Sequence, residues 1–168
     1  MKQMKTAWVD TAIADAKTLT PIYHSSFNGQ RDMVLHFAMP VTGYYFDKMK
    51  KSSLPINDTV SRPFFDSNLY PNIIAWLPLK VGYTAILPIY DYSPDKKGRL
   101  LKASIKGVSE GTYQSAFSGA HKVWIVAVTD EISGNSSSTY YIDQQTRQLW
   151  QQEIKTGSKI MLMQRNEQ

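Results

Sequence analysis

Three histidines, His24, His36 and His121, are the side chains of this sequence suited to acid–base or metal chemistry near neutral pH. A metal site needs imidazoles or carboxylates at ligand spacing, and no HExxH pair occurs. His24 and His36 flank Asn28–Gly29, which reads as a two-residue hairpin turn. Such a turn sets Phe27 opposite Gln30, His24 opposite Met33 and His36 opposite Pro21, so the two imidazoles are not partners. His121 falls in the Gly-Ala-His-Lys turn before a strand. A serine nucleophile needs a base and a third group that orients it. There is no GxSxG, and Ser25–Ser26 and Ser136–Ser138 sit at turns, where serine serves backbone hydrogen bonds. A triad gathered from distant positions is the remaining route to a hydrolase. A His beside a Ser and an Asp in one pocket would be its mark.

The chain has no cysteine, which excludes disulfides and thiolate chemistry. Neither GxxxxGK[ST] nor GxGxxG is present to cradle a phosphate, and no carboxylate pair is marked for glycoside hydrolysis. The sequence thus names no catalytic residue, metal ligand or cofactor, and the expectation is a protein that is not an enzyme. Two sequons, at Asn57 and Asn135, are triplets common by chance.

Apolar side chains say more. Trp124, Val126 and Val128 share one face of a strand by alternation, as do Trp150, Gln152 and Ile154, and Met161 and Met163. With Trp76, Leu77 and Tyr83 they offer a pliable greasy surface, because Met adapts to irregular shapes. An ordinary core gives the same pattern. The functional alternative is a groove for an acyl chain or other apolar ligand, lined by Trp76, Leu77, Tyr83, Trp124, Val126, Trp150, Met161 and Met163. Tyr interleaved with Lys and Arg can stack nucleic acid, but no RNP-like motif accompanies it, and no nucleic-acid partner is expected.

The elements that must hold these residues are β-strands. The C-terminal third reads as four strands, KVWIVAVTDE, STYYID, RQLWQQEI and SKIMLMQR, joined by turns at Ser133–Asn135, Asp143–Thr146 and Thr156–Gly157. Upstream, Thr6–Ala14, Leu19–Phe27, Arg31–Met39 and Val41–Met49 read as strands, and residues 50–65, with two prolines, as a long mobile loop. Asp66 or Ser67 caps a helix running to Trp76, stopped by Pro78. Gly82–Tyr92 and Arg99–Ser109 flank the SPDKKG turn. Leu101, Ala103 and Ile105 alternate with Lys102, Ser104 and Lys106, giving one buried and one wet face, whereas Val123–Val128 reads as a central strand. The fold class is mainly β: a strongly curved antiparallel sheet of about eight to ten strands, a half-barrel or open barrel built as a meander of hairpins, with one short helix near residues 66–76 packed on it.

The 168 residues suit a single β-rich domain. A net charge of +5 is scattered, as on a solvated surface. No apolar run approaches the ~20 residues of a transmembrane helix. MKQMKTAWVD lacks the apolar core of a signal peptide, which is expected either of a cytosolic protein or of a mature form whose leader has been removed.

The segments DAKTLTPIYHSSFNG, FFDSNLYPNIIAWLPLKVGYTAILPIYDY, KVWIVAVTD and STYYIDQQTRQLWQQEI occur in an order that resembles a bacterial family of uncharacterised exported proteins. That family is similar in fold to the lipoprotein-localisation factors, whose curved sheet wraps a helical plug. The resemblance implies a periplasmic or cell-envelope location and further strands N-terminal to those present. It also implies a structural turn at Asp143 and Thr146. A sheet lacking those strands keeps an open edge, which favours a homodimer or a protein partner. The combined expectation is a non-enzymatic envelope protein binding a lipid, acyl chain or other apolar ligand. The alternative is an interaction module with a solid core acting through an edge strand.

Overall fold

The computed structural model describes residues 7–132, 134 and 136–167. Twelve antiparallel strands and one short helix appear there: β1 (Val9–Ala14), β2 (Pro21–Phe27), β3 (Arg31–Phe37), β4 (Val41–Asp47), β5 (Ser52–Asp58), β6 (Phe65–Asp66), α1 (Tyr70–Trp76), β7 (Ala85–Ser93), β8 (Lys97–Ser115), β9 (Gly119–Asp130), β10 (Ser137–Asp143), β11 (Leu149–Thr156) and β12 (Lys159–Gln164). The expected mainly-β class with one helix is what the chain adopts. Its strands fall into two open sheets, ordered β1-β2-β3-β4-β5 and β12-β11-β10-β9-β8-β7-β6. The chain forms two compact units, Met1–Leu69 with Tyr90–Leu100, and Tyr70–Ile89 with Leu101–Gln168. Among the described residues no helix is long and apolar enough to cross a membrane.

In the first unit, Asn28 donates its amide to the Arg31 carbonyl, and its side chain accepts from the amides of Gln30 and Arg31. Asn28 therefore stands at the first corner of the turn, not in its middle. This moves the register from the expected one: His24 pairs with Leu35, and Tyr23 with His36. The two histidines remain unpaired with each other. The supposed loop 50–65 is corrected too, because Ser52–Asp58 is a strand. Its Pro55, opposite Tyr44, is tolerated because β5 is an edge that leaves one row of ladder groups unpaired. Met33, Leu35, Val41, Ile56 and Tyr90 form this unit's core, with Phe37 and Phe64 packed against it.

In the second unit, the helix begins at Tyr70, later than expected, and Asp66 accepts from the Asn68 amide in the preceding turn rather than capping it. Tyr70, Ile73, Ile74 and Ala75 of this short helix are buried, a broad face that leaves out Trp76. Trp76 is 68% exposed. Tyr70 donates to Asp130 of β9 at 2.6 Å, tying helix to sheet. β9 is the central strand, as expected, although Trp124 and Ile125 are only half-buried. The alternation at Leu101–Lys106 runs as far as a register shift between Ile105 and Gly107. Of the expected Ser133–Asn135 turn, Ser133 and Asn135 lie outside the described residues, as does the Asn of the second sequon.

Candidate functional site

At the hairpin joining β8 to β9, Ser115 closes the turn: its hydroxyl oxygen accepts the amides of Phe117 and Ser118, at 3.1 and 2.9 Å, and its proton goes to the Glu167 carboxylate. Gly119 follows at φ +84°, a left-handed conformation that favours glycine. The turn brings the Ser118 hydroxyl to 2.9 Å from His121 Nε2. On the other side of the ring, His121 Nδ1 stands 3.4 Å from Asp143 Oδ2. Asp143 ends β10, and its Oδ1 accepts the amides of Gln145 and Thr146, the turn-fixing role read from the sequence.

Trp150 completes the site through a fault in the ladder. Tyr141 pairs with Gln151 and Ile142 with Leu149, so Trp150 is the extra residue of a β-bulge. The bulge re-aims the indole. Its N–H donates to Asp143 Oδ2 at 3.2 Å, and its ring stacks on Tyr113 and meets His121 at 4.3 Å between centroids. Gln152, which alternation alone puts on the same face as Trp150, instead bonds Tyr140. The Arg165 guanidinium lies over the indole, 5.2 Å from its centre. Ser118, His121, Asp143, Trp150 and Arg165 border a pocket of about 500 Å³, with Phe117 and Glu167 also in its wall. Burial alone would push the Asp143 carboxyl up. The Thr146 amide, the Trp150 indole, the Gln145 amide and the Thr146 hydroxyl outweigh it and hold the group below the usual carboxylate range.

Proton counting sets the direction of this chain. A hydroxyl has one proton and two lone pairs. Ser115 has given its proton to Glu167 and its lone pairs to two amides. It is thus a poor acceptor for Ser118, although the two oxygens are 2.9 Å apart. The Ser118 proton is better received by His121 Nε2, which leaves the imidazole proton on Nδ1, facing Asp143. Exposure is graded along the line: Ser118 is exposed, the His121 side chain is 24% exposed and that of Asp143 is 8%. An accessible hydroxyl, a half-covered base and a buried carboxylate are the parts of a nucleophilic relay.

Of the eight residues read from the sequence as ligand contacts, Trp150 alone lines this pocket. Val126 is fully buried, Leu77, Tyr83 and Trp124 are half-buried, and Trp76 is exposed. Met161 and Met163 are each about half exposed on β12, which ends one sheet. Sequence reasoning noted His121 only as a turn histidine without a partner, and did not name Ser118 or Arg165. The spacing of Ser118 and His121 across a tight turn was the available signal.

A second polar pair lies in the first unit. His24 Nδ1 meets Asp66 Oδ1 at 3.0 Å, both residues being buried. Asp66 Oδ2 has no hydrogen-bond partner among the described residues, nor has Arg31 Nε, while Arg31 Nη2 donates to Ser26.

A family model described as a protein of unknown function (DUF3108) matches residues 1–164. No curated protein and no solved structure matches the chain.

Proposed function

The chain belongs to the DUF3108 family, whose function is unknown, and on that footing we propose that it binds an amphipathic ligand, an acyl chain with an acidic head, in the cell envelope. The observation that carries this reading is Arg165 held over Trp150 at the pocket: a cation for the head group beside an aromatic wall. Arg165 directly follows β12, whose Ile160, Met161, Leu162 and Met163 are all at least half exposed. Ile160 and Leu162, paired with Lys155 and Glu153, share the Trp150 face of the sheet and give an acyl chain an apolar track there. The envelope location rests on the sequence resemblance and is tested by fractionating cells that express the native gene.

Decanoate is the probe for binding, titrated against tryptophan fluorescence and followed by native mass spectrometry. Arg165→Ala, and separately Ile160→Ser with Leu162→Ser, should each weaken binding about tenfold, as for one lost charge contact or two lost apolar contacts. Equal affinity in all three proteins, or no binding to the parent, rejects the reading.

A second reading is favoured by β12 itself. A terminal strand with apolar side chains on both faces is a template for pairing with a second copy of the chain. Sedimentation of the parent as a dimer, and of Leu162→Lys as a monomer, would support it; a monomeric parent would dismiss it.

A further inference from the structure

We propose that Ser118 is an acyl-accepting nucleophile, activated by His121 and Asp143, and that the pocket cleaves small carboxylic esters. The inference goes beyond binding, and it rests on the same pocket being a ligand site. Three observations support it independently of the pocket's shape. The Ser118 hydroxyl is 2.9 Å from an imidazole nitrogen whose opposite nitrogen faces a buried carboxylate. Ser115 Oγ, the other acceptor within 2.9 Å of the Ser118 hydroxyl, already receives two amides, which weakens it as a rival to His121 for the Ser118 proton. His121 is braced by the Trp150 ring on one side and by its ladder pairing with Tyr113, which holds the base in place.

The step is a standard acyl transfer. Ser118 Oγ adds to the ester carbonyl carbon while its proton passes to His121 Nε2. The carbonyl oxygen becomes an oxyanion, for which Arg165 is the positive group at hand. As the carbon–oxygen bond to the alcohol breaks, His121 returns the proton to the departing oxygen. Water, deprotonated by the same imidazole, then attacks the acyl-serine, releasing the acid and restoring the hydroxyl. The amides of Phe117 and Ser118 cannot take part, since both already donate to Ser115.

The full chain is treated with an alkyl fluorophosphonate, which a nucleophilic serine displaces with loss of fluoride. The adduct is located by peptide mass spectrometry, and p-nitrophenyl butyrate turnover is followed in parallel. The expected result is one adduct on Ser118, with labelling and turnover about 100-fold or more slower in Ser118→Ala and in His121→Gln. Ser118 lies in an exposed turn, so its alanine variant tests the idea even where His121→Gln fails to fold. An unlabelled parent, an adduct confined to another residue, or wild-type rates in Ser118→Ala overturn the proposal. Decanoate titration of the parent separates the two readings: binding without labelling defeats only this inference, and loss of both defeats the ligand site as well.

Discussion

The Trp150 indole donates to Asp143 Oδ2 at 3.2 Å, joining the bulge of β11 to the turn that closes β10. One carboxylate thereby serves an indole, two amides and an imidazole.

Asp143 should make stability fall in acid. A carboxylate held below its ordinary pKa stabilises the fold above the unfolded value, about 4, and that contribution is lost as pH drops through its own lower pKa. Denaturant unfolding of the parent and of Asp143→Asn, compared from pH 7 to pH 3, should show a stability gap that narrows below about pH 4. A gap that stays constant with pH would mean that the carboxylate is not held in its charged form.

Buried tyrosines should impose an alkaline limit. Burial pushes the Tyr140 hydroxyl up to about 12. Burial also drives Tyr70 and Tyr90 up, reinforced by Tyr140 and Asp130 around Tyr70 and by Asp58 beside Tyr90. The unfolded chain releases these protons near pH 10, so the stabilisation is complete below that pH and is lost on rising through the folded values. Melting temperature should fall above about pH 10, with phenolate absorbance from these residues appearing only together with unfolding.

Gly43→Ala should unfold or severely weaken the first unit. Gly43 pairs with Leu35, and an added Cβ would lie 1.9 Å from the Val34 carbonyl oxygen. Backbone must move to admit it, at a cost of about 3 kcal/mol or more, readable from the denaturation midpoint.

Removing the acceptor of the buried imidazole should destabilise the same unit. Asp66→Ala strands the His24 N–H that now meets Oδ1 at 3.0 Å, costing about 1–3 kcal/mol. Asp66→Asn retains an oxygen there and should cost less, which urea titration of the two variants would resolve.

Strand identity was legible wherever alternation was clean, as from Leu101 to Ile105, and wherever a turn residue acts locally, as Asp143 does. Ser52–Asp58 was hidden because Pro55 reads as a breaker until its place at a sheet edge is known. The hairpin register turned on whether Asn28 takes a corner or a central position, a one-residue choice that propagates to every pair beyond it. Trp76 shares a stripe with Leu69, Ile73 and Leu77 by spacing, but the face that packs is centred on Tyr70 and Ile74, and Trp76 lies about 200° round from Ile74. The Ser118, His121 and Asp143 cluster joins two turns separated by two strands, and contacts of that range carry no periodic signal in sequence.

The extra residue at Trp150 makes the pocket sensitive to length as well as to composition. Excising one residue from the start of β11 would let the ladder run uninterrupted and swing the indole through the sheet to its opposite side. Arg165 would lose its platform and Asp143 its N–H donor, although every wall residue keeps its identity. Among related chains, a three-nucleotide deletion at this point would separate those that keep the pocket from those that have surrendered it.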